Sequence, residues 1–204
     1  MVNHPMKLLP NWDRKMVPIS LHGDDVPVQG IGKSWSKSVE IFSWAGMLSS
    51  GSTIIRTFML FLVHKLLCAK GARNTMDIFW KHLVWSFRAL YDGKWPSHNA
   101  DGDLINDPRA GTWLADGYCA TLWAIKGDLE WFALSLGLEH FASLSPCFCC
   151  QANTTSHPWT DAHLGAAWET TIWSNDAWAF NRPRHCRGCR SAPLFPTSCT
   201  ASIW

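Results

Sequence analysis

The sequence is poor in long apolar runs. Its most apolar stretch, Phe58 to Val63, lies between Arg56 and the pair His64-Lys65. A membrane span needs about twenty such residues, so the stretch reads as a buried strand or short helix and no membrane association is expected. The opening MVNHPMKLLPNWDRK has two prolines and early charges but no apolar segment of signal-peptide length. An intracellular setting is therefore expected, with the eight cysteines reduced rather than joined in disulfides. Charge is scarce as well. Charged residues make up 17% of the chain, the net charge is +2 and no long basic run occurs, so electrostatics alone nominates no partner. No acid follows Asp176, while Arg182, Arg184, Arg187 and Arg190 crowd among prolines; a poorly packed tail is expected there.

Apolar residues and tryptophan are plentiful. At 204 residues and 47% apolar content the chain can bury one substantial core. The expected organisation is an extension at 1–15, one domain at 16–170 and an irregular, disordered tail at 171–204. Fourteen tryptophans are spread from Trp12 to Trp204. They read first as core and cover residues, because a base- or sugar-stacking surface would need them clustered.

Apolar residues alternate at Val17, Ile19 and Leu21, the period of a half-buried strand, and the run stops at His22-Gly23-Asp24-Asp25. Val26 to Lys37 reads as a loop. Val39 to Leu48 and Thr53 to Val63 are two β-leaning runs separated by Ser49-Ser50-Gly51-Ser52, which predicts a hairpin. From Thr75 to Tyr91, Met76, Phe79, Trp80, Leu83, Val84, Phe87, Leu90 and Tyr91 form the stripe of an amphipathic helix, with Thr75 placed to cap it and Gly93 to end it. Lys94 to Arg109 is a surface loop rich in turn residues. Trp113 to Ile125 is apolar without a decisive period, and Lys126-Gly127-Asp128 follows it. Leu129 to Leu138 could form a short helix ended by Gly137. Strands ending in acids, a hairpin and a helix in this order are compatible with an α/β sheet whose functional groups gather at strand ends.

Asp24 and Asp128 each follow an apolar run. If the two strands are neighbours, the two carboxylates could hold Mg²⁺ or Mn²⁺, as in phosphoryl-transfer sites where acids fix two ions about 3.5–4 Å apart. Taken separately, Gly-Asp at a strand end also serves as a plain turn. Cys147-Phe148-Cys149-Cys150 contains one C-x-x-C pair and Cys186-Arg187-Gly188-Cys189 a second, so Cys147 and Cys150 are candidate Zn²⁺ ligands. The intervening thirty-five residues exceed the usual ribbon spacing. His157, His163 and His185 are alternative ligands, and unligated, partly buried thiols are the other reading. Gly30-Ile31-Gly32-Lys33-Ser34 fails as a phosphate-binding loop, because Pro27 occupies the position that requires the first glycine. No His or Asn can be assigned to activate any thiol as a catalytic nucleophile.

His22-Gly23-Asp24-Asp25-Val26-Pro27, Gly32-Lys33-Ser34, Trp44, Gly93-Lys94-Trp95-Pro96, Gly127-Asp128 and the cysteines from Cys147 to Cys150 occur in that order. The order resembles an expanded, tryptophan-rich family of uncharacterised dinoflagellate proteins. It is similar, more distantly, to CACTA-type and Plavaka-type transposases over about residues 18–170. That resemblance implies a ribonuclease-H-like α/β domain, a mixed sheet with helices, acting on DNA in the nucleus. It also implies Asp24 and Asp128 as the first two acids of a metal-binding triad, with Cys147 and Cys150 as the cysteine pair. The sequence departs from the pattern at Asp25, where glycine is usual, and at Phe148 and Cys149. It also lacks a third acid at the expected distance, since Asp161 and Glu169 lie too close to the cysteines. The function these features predict is a truncated transposase-derived domain, inactive as it stands. The alternative is a non-enzymatic, zinc-stabilised interaction module.

Overall fold

The computed structural model describes residues 7, 9, 11–28, 38–71 and 74–174. These form two compact units, one up to Lys126 and one from Gly127 onward. The Gly30–Ser34 motif, Cys186, Cys189, His185 and most of the expected tail lie outside the described residues.

The first unit is a mixed α/β structure. After a helical turn, α1 (Trp12–Lys15), come β1 (Met16–Pro27), β2 (Ser38–Gly46), a second turn α2 (Thr53–Arg56) and β3 (Thr57–His64). The long helix α3 (Thr75–Asp92) and then β4 (Cys119–Lys126) complete it. The sheet order is β3-β2-β1-β4. β1 to β3 form an antiparallel meander, and β4 lies parallel to β1. The expected hairpin is present as β2–β3, with the predicted Thr53 start diverted into α2. As an inner strand β1 is flanked on both edges, and Ile19, Ser20 and Leu21 are all buried.

The helix sits on the sheet through aromatic contacts. Phe42, fully buried on β2, lies 4.4 Å from Phe79 and 5.4 Å from Trp80 between ring centres, and Phe61 of β3 stacks on Phe79 at 4.5 Å. Leu83 is buried one turn further along. The helix limits correct one expectation. Asn74, not Thr75, caps the amino end, its Oδ1 accepting from the Met76 N–H at 2.9 Å, while Thr75 Oγ1 accepts from the Ala69 N–H. Asn is the better cap because its acceptor reaches the next turn from an extended backbone. Gly93 ends the helix as expected, in the left-handed region at φ 65°. A Cβ there would lie 2.6 Å from Cys119 Sγ, so the glycine also lets the helix end approach β4.

A second correction concerns Phe58–Val63. It is a strand, but β3 is the sheet edge, and Phe58, Met59, Leu60 and Leu62 are exposed rather than buried. A register shift between Phe42 and Ser43 on β2 leaves Leu60 as an extra residue on β3, a bulge of the kind that bends an edge strand. Among the described residues no helix is long and apolar enough to cross a membrane.

The second unit opens with α4 (Leu129–Leu136), ended by Gly137 at φ 66° as expected, and continues as turns with one short 3-10 helix at Glu169–Thr171. Its buried residues are Trp131, Phe132, Cys150, Ala152 and Ala166, with Phe132 5.9 Å from the Phe148 ring. Phe42→Ala is expected to destabilise the chain by about 3–5 kcal/mol, the usual cost of emptying a buried aromatic site. Urea unfolding checks this against Phe58→Ala on the exposed edge, which should cost far less.

Candidate functional site

Asp24 is not at a strand end in the simple sense expected. β1 continues to Pro27, and Asp24 is paired with Ile41 in the β1–β2 ladder. It does lie just beyond the parallel β1–β4 ladder, whose last pair is His22 with Lys126. The reason is that β4 stops at Lys126 while β1 keeps a partner in β2. Asp24 Oδ1 accepts the Asp25 N–H at 2.8 Å. By strand alternation Asp24, opposite Ile41, is on the sheet face away from Phe42 and therefore away from α3.

Asp25 takes the other face. It is directly opposite Glu40, which is 5% exposed, and its Oδ2 is ion-paired with Lys65. Two acids at facing positions repel, and Lys65 offsets that. Glu40 was not singled out from the sequence. An acid between Val39 and Ile41 reads from sequence as the polar position of an alternating strand, so nothing local signals its burial.

Asp128 opens the second unit as the cap of α4. Its Oδ1 accepts the Trp131 N–H at 2.6 Å, the arrangement in which a carboxylate satisfies an unpaired donor and faces the positive end of the helix. The sequence reading of Gly-Asp as a plain turn is replaced by a helix cap, a local structural role all the same. The two possible third acids are likewise engaged locally: Asp161 Oδ1 accepts the His163 N–H at 3.2 Å, and Glu169 Oε2 the Gly165 N–H at 3.0 Å. Among the described residues no group of three or more His, Cys, Asp or Glu is placed to hold a metal ion.

The cysteines are brought together. Cys150 Sγ donates to Cys147 Sγ at 3.1 Å, and the Cys149 N–H donates to Cys147 Sγ at 3.4 Å. The Ala152 N–H donates to Cys150 Sγ at 3.4 Å. The loop is held at its base by Trp173 N–H to the Cys149 carbonyl at 2.9 Å and by Gln151 N–H to Thr171 Oγ1 at 3.0 Å. Cys147 and Cys149 are half-buried and Cys150 is buried; all described cysteines are free thiols. The Cys149 thiol and then that of Cys150, with backbone N–H groups of both, hydrogen-bond to the Cys147 sulfur and lower its pKa, against the opposing effect of burial. The Cys149 thiol is raised, first by its bond to Cys147 and then by burial; the Cys150 thiol is raised, by burial first. Of the histidines named as alternative ligands, His157 Nδ1 is 3.0 Å from Ser156 Oγ, and His163 is exposed.

Comparison of the chain with protein-family models, with curated proteins and with solved structures returns no match.

The capping geometry gives a sharp expectation for Asp128. Asp128→Ala should lower stability by about 1 kcal/mol, whereas Asp128→Asn should stay close to wild type, because Asn caps as well as Asp. Thermal unfolding of the pair measures it. Equal losses in both variants would mean that the charge, not the hydrogen bond, is what the fold uses.

The depressed Cys147 thiol leads to a second expectation. Its alkylation by iodoacetamide should persist to lower pH than that of Cys68 and Cys119, whose thiols burial raises. Quenched labelling followed by peptide mapping reads the order directly, and Cys147 labelling no earlier than Cys68 as pH rises would refute it.

Proposed function

We propose that this chain derives from a metal-dependent DNA cleavage and strand-transfer domain of the ribonuclease-H-like kind, and that it does not itself cleave or join DNA. The observation that supports the derivation is the parallel pairing of β1 with β4 in a mixed sheet. Open sheets place their functional groups outside the carboxyl ends of parallel strands. Asp24 lies two residues past the final His22–Lys126 pair on one strand, and Asp128 follows Lys126 by two residues along the chain. These are the two acids that the resemblance assigns as ligands for Mg²⁺ or Mn²⁺, with DNA as partner and the nucleus as location.

The donor set does not fit a two-metal centre. Two divalent ions bring +4, and two aspartates offset half of it. Each aspartate already accepts a backbone N–H. Hard cations held by so few protein oxygens stay hydrated and mobile, so in-line alignment of attacking and leaving oxygens is lost. Asp161 and Glu169 are committed to turns. A Mn²⁺-dependent nicking assay on supercoiled DNA is therefore expected to give no cleavage above a protein-free control. Nicking that Asp24→Asn and Asp128→Asn both abolish would overturn the inactive reading and establish the site.

A second reading, the zinc-stabilised module, is favoured by one observation. Cys147 Sγ receives both the Cys149 N–H and the Cys150 S–H, so a sulfur is already oriented and electrostatically supported as a thiolate donor. Cys147 and Cys150 would supply half of a tetrahedral set. On this reading purified protein carries about one zinc per chain, and Cys147→Ser releases it. Metal-free protein that folds normally in chelator would leave the thiols as packing residues.

A further inference from the structure

The geometry of the cysteine loop also allows chemistry that needs no metal. Cys147 and Cys150 are three residues apart with sulfurs 3.1 Å apart, the half-buried one accepting and the buried one donating the S–H bond. A disulfide bond is about 2.05 Å long, so closure asks for roughly an ångström of approach between side chains already in contact. The backbone around them is set by Trp173 N–H on the Cys149 carbonyl and by the Ala152 N–H on Cys150 Sγ. Neither of these bonds involves the Cys147 sulfur, whose donors are the Cys149 N–H and the Cys150 S–H.

We propose that, in the metal-free chain, Cys147 and Cys150 form a redox-active dithiol that exchanges with small-molecule disulfides, Cys147 as the attacking sulfur and Cys150 as the resolving one. The roles follow from position. Only a sulfur reachable from solvent can meet an incoming disulfide, and Cys147 is half-buried whereas Cys150 is 5% exposed. The attacking sulfur also needs donors that stabilise negative charge, and the Cys149 N–H and Cys150 S–H point at Cys147. In the first step Cys147 sulfur attacks one sulfur of the external disulfide, RSSR. The S–S bond breaks, one RSH leaves with the Cys147 proton, and Cys147 carries a mixed disulfide. In the second step Cys150 sulfur attacks the Cys147 sulfur, and the second RSH leaves with the Cys150 proton. The sum is a dithiol plus RSSR giving an internal disulfide plus two RSH, with the protein oxidised by two electrons and the external disulfide reduced by two.

Cys149 is the competing resolving group. It is half-buried and interacts with Cys147. The pairing with Cys150 is assigned because its sulfur donates to the Cys147 sulfur across only 3.1 Å.

The test uses the full chain in chelator, so that it is independent of zinc and of any DNA chemistry. Oxidised glutathione is added, the reaction is quenched with acid, remaining thiols are alkylated, and peptides are mapped by mass. The wild type is expected to give a Cys147–Cys150 disulfide with little glutathione retained on the loop. Cys150→Ser should stall with glutathione on Cys147. Cys147→Ser should leave Cys150 modified at least about tenfold more slowly than Cys147 in the wild type, as its burial requires. Cys149→Ser should still form the disulfide. Because Cys150 is buried, circular dichroism on each variant verifies that it folds, and the order of wild-type modification stands without any variant. Glutathione remaining on wild-type Cys147 without closure, a Cys147–Cys149 or Cys149–Cys150 linkage in its place, or equal reactivity of Cys147 and Cys150 would each overturn the proposal.

Discussion

The first unit depends on β1 being paired on both edges. Its antiparallel partner β2 comes next in the sequence, but its parallel partner β4 arrives only after β3, α3 and the long loop beyond it. Closing that connection costs chain entropy that local contacts do not repay. What repays it is burial, since Ile19 and Leu21 of β1 and Ala124 and Ile125 of β4 leave water together. The helix between them contributes through Phe79 and Trp80 against Phe42 and Phe61, which fixes α3 on one face before β4 is reached. The loop after α3 is also anchored. Trp85 Nε1 donates to the His98 carbonyl at 2.7 Å, Lys81 is ion-paired with Asp101, and the Arg109 guanidinium lies 3.9 Å over the Trp95 ring. A connection of that length would otherwise be loose.

Elements with strong local signals were legible from the residues alone. The α3 stripe, its Gly93 stop, the β2–β3 hairpin and the Gly137 end of α4 all follow from period and turn chemistry within a few residues. What escaped was decided by distant partners. Whether Phe58–Val63 is inside or at an edge depends on whether another strand lies beyond it, and nothing in FMLFLV carries that information. The extension of β1 through Asp24 to Pro27 depends on β2 supplying partners as far as Ser38. The cap of α3 was a contest between adjacent residues, Asn74 and Thr75, and the backbone entering from Ala69 settled it by using the Thr75 hydroxyl elsewhere. Cys147 and Cys150 were legible as a pair because spacing alone puts them in one loop. Glu40 was not, because its meaning lies in Asp25 across the ladder.

The same distinction governs the two sets of candidate ligands. Asp24 and Asp128 have the right residue type at suggestive places, but each oxygen named here accepts a backbone N–H. For Asp128 that bond caps a helix, so recruiting the carboxylate to an ion would sacrifice about 1 kcal/mol of capping unless a second oxygen served the metal. A carboxylate can serve both ends, and capping does not exclude coordination. It does supply a complete structural reason for the aspartate, so the residue type alone no longer argues for chemistry.

The cysteine loop presents the opposite case. Packing would be satisfied by small apolar side chains at these positions, since a free thiol behaves as a small hydrophobe. Here, however, backbone N–H groups are aimed at two of the sulfurs, and one thiol donates to another. Donors directed at sulfur do little for a neutral thiol, which is a weak acceptor, and much for a thiolate. The arrangement therefore favours a state in which Cys147 has lost its proton or made a new bond, to a metal or to sulfur. Neither outcome needs an acidic triad or a nucleic acid. The chemistry open to this loop is therefore independent of Asp24 and Asp128, whose named oxygens are engaged by backbone N–H groups.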